Sequence, residues 1–456
     1  MNSVFLLIVF IAFATAAWRQ WHWVAPAGGD AAQAAQAAAQ AAQAAQVVSS
    51  PMEQLSSSMI AAAGSAIELA IGLVGVMALF LGLMKVAEQG GLLIVIAKLI
   101  RPLMVRLFPQ VPPSHPAMGA MILNMSANAL GLGNAATPFG IRAMQALDAL
   151  NPRPGTATNA MALFLAINTS GLTLLPAKVI AIRASAGSMD PAGILPTTLF
   201  ATVASTLAAI AAALWFQRLF PVGAPSAQEL AQEQAMPRPW VAQFATEGAR
   251  RDADDVGAYP LWVSLLALLG IALAIPASIV WGKAIAPWIV PGMMLGFLLY
   301  GAVRRVRVYE AFVEGAKEGF EVALRIMPYL VAILVAVAML RSSGALEAIV
   351  GTLAIVTAPL GLPAEALPMA LLRPLSGSGS YGVMSSILTD PAIGPDSYTG
   401  YLVSTLMGSS ETTFYVLAVY FGAVQVRRIR HTLIAALLAD AVAVAASVAI
   451  CRYLFA

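Results

Sequence analysis

The chain has 456 residues, of which 60% are hydrophobic and 10% charged, and its mean hydropathy is +0.81. An average soluble domain carries about 25% charged residues, so a water-soluble globular enzyme is excluded and an all-α, polytopic membrane protein is expected. The formal net charge of +3 fits Lys/Arg-rich cytoplasmic loops facing anionic lipid and is no footprint for nucleic acid. One cysteine, Cys451, rules out an intrachain disulfide, and with only three histidines no structural zinc set and no cofactor are expected.

Residues 4–18 form a short apolar run with no Lys or Arg before it, so a retained helix is expected rather than a secretory signal. Residues 31–46 are Ala interspersed with Gln33, Gln36, Gln40, Gln43 and Gln46, a spacing that predicts a solvated helical spacer. A long apolar span covers 67–84 with Glu68 near its start, and a shorter run covers 91–100. After Pro112, Pro113 and Pro116, the apolar residues 117–123 lead into Asn124-Met125-Ser126-Ala127-Asn128 and a glycine-rich stretch to Pro138. Amides, hydroxyls and glycines in apolar surroundings predict a helix that unwinds there.

Residues 160–167 end in Asn168-Thr169-Ser170-Gly171-Leu172-Thr173, and 195–216 form a clean span. The polar stretch 221–260 reads as a linker. Two further spans are expected at 261–280 and 287–303, before the basic loop of Arg304, Arg305 and Arg307. Residues 322–340 span again, preceded by Glu321, and 346–360 are shorter. Then come 368–372, the patch Arg373-Pro374-Leu375-Ser376-Gly377-Ser378-Gly379-Ser380, a second basic loop with Arg427, Arg428 and Arg430, and a last span at 433–454 containing Asp440.

The chain is organised around residues 407–422, where Ser409, Ser410, Glu411, Thr412 and Thr413 stand in a row within apolar sequence. A charged carboxyl at the centre of a spanning helix costs about 3 kcal/mol on insertion scales. The cluster is therefore expected to face a cavity at the end of a broken helix. The same order recurs in both halves: a Glu-headed span, a Gly-containing break, a proline before a short apolar run, two polar patches and a long span. That order predicts two related halves with interrupted or re-entrant helices. The organisation is 1–59 for an N-terminal helix and spacer, 60–220 for the first membrane half, 221–260 for the linker and 261–456 for the second half.

The runs Glu68-Leu69-Ala70-Ile71-Gly72-Leu73 and 124–138 in the first half resemble spore maturation protein A. The runs 373–380 and Gly408-Ser409-Ser410-Glu411-Thr412-Thr413-Phe414-Tyr415 in the second half resemble spore maturation protein B. Those proteins belong to the wider nucleoside recognition, or Gate, group, which is also similar to part of the ferrous iron transporter B channel and to the concentrative nucleoside transporters. In the last of these a Gly, polar, Thr, Glu stretch contacts nucleoside. Its match here is Gly408-Ser409-Ser410-Glu411, with Ser410 in the place of the Thr.

These readings together give a bacterial inner-membrane, transporter-like protein and no enzyme. The partners expected are a small polar solute, a coupling proton or cation, and the bilayer; a homo-oligomer is compatible with the sequence. The solute wall is assigned to Asn124, Ser126, Asn128, Asn168, Thr169, Ser170, Arg373, Ser376, Ser378, Ser409, Ser410, Glu411, Thr412 and Thr413. Glu68, Glu321 and Glu411 are the candidates for ion or proton coupling, although Glu68 and Glu321 equally suit helix N-termini. A non-transporting membrane scaffold for the cell envelope is the alternative. Gly377-x-Gly379-x-x-Gly382 matches a dinucleotide fingerprint, but the strand that motif needs is not in its sequence context.

Overall fold

The computed structural model describes residues 2–23, 49–131, 133–221, 238, 258–345, 348 and 357–455. The Ala/Gln stretch, nearly all of the polar linker and most of 346–356 lie outside the described residues. The named elements of the described chain are helices: α1 (Asn2–Trp21), α2 (Pro51–Gln89), α3 (Leu92–Leu107), α4 (Pro116–Ala129), α5 (Gly133–Ala149), α6 (Asn159–Thr169), α7 (Ala177–Ser185) and α8 (Leu195–Leu219) in the first part. Then follow α9 (Leu261–Val303), α10 (Val308–Ser343), α11 (Leu367–Leu372), α12 (Gly377–Leu388), α13 (Tyr398–Ser409), α14 (Thr413–Ala423) and α15 (Thr432–Phe455). The protein is an all-α polytopic membrane protein. Among the described residues α8 and α15 are each long and apolar enough to cross a membrane, and α2 with α3 forms a third span bent by 68° if counted as one.

Several expected boundaries move. Helix α2 begins at Pro51, well before the apolar run, because Ser50 and Glu53 close a reciprocal capping box. Glu68 therefore lies inside α2, and Glu321 lies inside α10. Both are exposed on their helices, and neither is a helix N-terminus. The two spans expected at 261–280 and 287–303 form one continuous helix, α9. The helix expected to unwind within 124–138 does so after Ala129.

The longest pairing sets α2 antiparallel to α10 through small residues. A Cβ on Gly319 would sit 2.7 Å from Ala78 Cα, and one on Gly315 would sit 2.9 Å from Gly82 Cα. Two glycines four residues apart let the backbones approach, which is how helices associate where lipid leaves little hydrophobic drive. At one end of this seam Lys85 pairs with Glu88, Glu314 and Glu318.

Both large apolar clusters draw on both halves of the sequence. One packs Met118, Met121, Phe164 and Leu165 with Leu417, Tyr420 and Ala439. The other packs Met77, Ile180 and Ile182 with Met384, Leu402 and Leu406. The halves interlock, and the seam between them runs through the interrupted helices.

Candidate functional site

Four helix interruptions meet in the interior: at 130–131 between α4 and α5, 170–176 between α6 and α7, 373–376 between α11 and α12, and 410–412 between α13 and α14. The first three have a local cause. Gly131 (φ 74°) and Gly171 (φ 61°) take left-handed backbone that other residues rarely adopt. Pro176 and Pro374 remove donors that a continuing helix would need.

The freed backbone groups bond across the breaks. Leu174 N donates to Ala129 O at 2.9 Å, joining the two breaks of the first half, and Phe414 N donates to Pro374 O at 3.0 Å, joining the two of the second. Glu411 N donates to Thr169 O at 3.0 Å and joins the halves. Arg373, with a side chain 7% exposed, grips the 410–412 segment. It donates to Ser410 O and, at 3.0 Å, to Thr412 Oγ1, and its Nη2 lies 3.7 Å from Glu411 Oε2. Unwound backbone is thus satisfied inside the protein, the condition for keeping it at membrane depth.

Beside this crossing lies a cavity of about 230 Å³. Its polar wall includes Asn128, Asn168, Lys178, Arg373, Ser410 and Glu411, and three rings, Tyr381, Tyr415 and Tyr420, complete it. Asn128 Nδ2 donates to Asn168 Oδ1 at 2.9 Å. The Glu411 side chain is 44% exposed, in contrast to the buried arginine behind it. The charged wall therefore holds two cations and one carboxylate. It also combines amide groups, hydroxyls and aromatic faces, a set suited to orienting a small polar or ring-bearing solute. Two larger cavities, of about 350 and 410 Å³, lie elsewhere. They are not built on the interrupted helices, so size alone does not pick out the site.

Of the expected wall, Asn128, Asn168, Arg373, Ser410 and Glu411 line the cavity. Asn124 stands behind it, donating to Ala136 O at 2.7 Å and Tyr420 Oη at 3.2 Å. Thr169 contributes the carbonyl that receives Glu411 N. Thr412 holds Arg373, and Thr413 Oγ1 donates to Asp440 Oδ2 at 2.6 Å. Ser376 caps α12 through Gly379 N, and Ser378 lies in the first turn of that helix, outside the cavity lining.

Ser126, Ser170 and Ser409 bond to Ile122 O, Ile167 O and Leu406 O in their own helices, and Ser170 also meets Thr206. Glu68 lines a separate cavity with Arg341 and Asp390, and Glu321 lines none of the cavities described. Sequence reasoning left out Lys178, Thr137 and the three tyrosines. A lysine one turn after a Gly-Pro break in apolar sequence was the signal that could have found the first.

Known proteins match the same regions. The Gate family, described as nucleoside recognition, matches residues 70–186 and 323–427. Spore maturation protein B of Bacillus subtilis (strain 168) is 46% identical over 166 residues, covering 36% of this chain and 92% of that protein. Spore maturation protein A of the same organism is 43% identical over 159 residues, covering 35% of this chain and 81% of that protein. The chain belongs to the spore maturation protein A and B family. Matches of this extent to both proteins are consistent with a fusion of the two. Each Gate region contains two of the four breaks. No solved structure matches the chain.

Proposed function

We propose that the protein is a multi-pass transporter-like protein of the bacterial inner membrane. It binds a small polar solute, nucleoside-like or ionic, in the cavity where the interrupted helices cross, and moves it with a coupling proton or cation. The observation that carries this reading is the half-exposed Glu411 on an unwound segment that Arg373 holds and the cavity opens onto. Interrupted helices that cross at a shared polar site are the usual architecture of secondary transporters. Two Gate matches, each with two breaks, support a duplicated unit as its origin. Where the solute bears an anionic group, Arg373 on the cavity wall meets it. The function is binding and movement, without a chemical step.

The test is a thermal-shift screen of the purified protein against nucleosides, nucleotides, amino acids and divalent metals, with Glu411→Gln run in parallel. Anything bound to the folded state alone raises the midpoint. The expected result is a compound that stabilises wild type and loses most of that effect in the variant. A broad screen that shifts neither protein, together with envelope function that survives Glu411→Gln, would put a scaffold role in its place.

A further inference from the structure

Behind the cavity lies a carboxyl that solute binding does not use. Asp440 sits in the ninth position of α15, an apolar helix long enough to span a membrane, and is 7% exposed. Its Oδ2 accepts the hydroxyl of Thr413 at 2.6 Å. Its Oδ1 is buried with no hydrogen-bond partner among the described residues. No Lys, Arg or His nitrogen among them lies within the 4.0 Å of an ion pair.

The groups that could set its charge are few. Helix α6 carries no titratable side chain, and α8 carries only Arg218 in its last turn. Helix α13 brings Tyr398 and Tyr401, and Tyr401 stacks on Phe455 at the far end of α15. Helix α14 brings Tyr415 and Tyr420, which line the cavity. On α15 itself are Cys451, Arg452 and Tyr453, three turns away. Arg373 connects to Asp440 through the chain: it donates to Thr412, and the next residue, Thr413, donates to Asp440; it is also bound to Ser410 O and faces Glu411.

We propose that Asp440 is a proton-exchange site: Oδ1 takes a proton from water and returns it, and this carboxyl carries the coupled proton of the transport reading, on which that last clause rests. In the protonated state a new O–H bond forms at Oδ1 and the carboxyl is neutral. In the deprotonated state it carries a charge whose one hydrogen bond is the Thr413 hydroxyl. A buried, unpaired charge is costly, so each state of Asp440 favours a different hold of Arg373 on the 410–412 segment. Oδ1 is closed to solvent in this conformation. Exchange therefore requires the packing around it to open, and the Thr413 hydroxyl on Oδ2 ties this carboxyl to the segment that carries Glu411. Neither Glu68 nor Glu321 has such a connection.

The test is infrared titration of the full-length protein in liposomes, with pH as the variable and no solute added. Wild type should show a protonated-carboxyl C=O band that vanishes as pH rises. The band should be missing in Asp440→Asn, present in Glu411→Gln, and shifted in frequency in Thr413→Val, which loses the donor to Oδ2. If Asp440→Asn does not fold, the Thr413→Val shift still decides. A band unchanged in Asp440→Asn or unshifted in Thr413→Val overturns the proposal. Loss of the band in Glu411→Gln, or its erasure by sodium at fixed pH, also overturns it. A failed solute screen leaves this band untouched, so the two readings fail separately.

Discussion

Gly171→Ala tests whether the crossing of the breaks holds the two halves together. Gly171 has φ 61°, and a Cβ there would lie 2.7 Å from Ser410 C, 2.8 Å from Ser410 Cα and 2.9 Å from Glu411 N. Those are backbone atoms, which cannot swing aside as a side chain would. Gly187 provides the control, with φ 80° and nothing within 4 Å of its added Cβ. A left-handed conformation costs a non-glycine residue about 1–2 kcal/mol, and that cost is common to both variants.

Only at 171 must the backbone also shift, at about 1–3 kcal/mol. The Glu411 N to Thr169 O bond beside it weakens as well, at about 1 kcal/mol. Gly171→Ala should therefore be less stable than Gly187→Ala by about 2–4 kcal/mol. The assay is unfolding in mixed micelles followed by circular dichroism, with both variants on one titration series. Equal losses would refute the argument, because they would mean that the contact between the 171 and 410 segments contributes nothing.

Arg373→Lys should destabilise the protein by about 2 kcal/mol, because one ammonium cannot reproduce a planar fork that reaches Ser410 O and Thr412 Oγ1 together; the same unfolding assay reads it. Gly319→Ala should lower stability by about 1–3 kcal/mol by forcing α2 and α10 apart. Gly422→Ala, with nothing within 4 Å, should be neutral or slightly stabilising in the same titration. His431, in the basic loop before α15, is buried, and its burial and the neighbouring Arg430 hold its pKa down at about 4, from an ordinary 6.5. The unfolded chain then binds more protons between those values, so stability is full above pH 6.5 and falls as pH drops toward 4. His431→Leu should flatten that slope in a pH series of unfolding midpoints.

The sequence made the membrane class legible because composition is decisive, and it located polar patches near all four breaks. It also read 124–138 as a helix that unwinds, and the break after Ala129 lies inside that stretch. Within that stretch the chain stays helical through Asn124 to Asn128 and on to Ala129, and it turns at Gly131. The turn follows the residue that can take left-handed backbone, and polar side chains alone do not stop a helix. The heads of α2 and α10 were misplaced for a related reason. Hydropathy marks where a helix becomes apolar, whereas α2 starts at the Ser50–Glu53 capping box, so Glu68 only appeared to head a helix. Lys178 was not assigned to the site because its neighbours in sequence do not say that the break before it folds back onto Glu411.

The same distinction sorts the hydroxyls from the site. A serine or threonine inside a helix can return its proton to a carbonyl one turn back, as Ser126, Thr169 and Ser170 do. It is then satisfied before any solute arrives, and its value lies in close helix packing. An asparagine has more donors and acceptors than one turn of helix can absorb. Asn168 gives Nδ2 to Phe164 O and still offers Oδ1 to Asn128. Charged groups are harder still to satisfy within one helix: Arg373 needs the backbone of a different break, and Glu411 needs the cavity. In a polar run within apolar sequence, the amides and charges therefore point to the site, and the hydroxyls beside them chiefly show where helices are packed closely enough to form it.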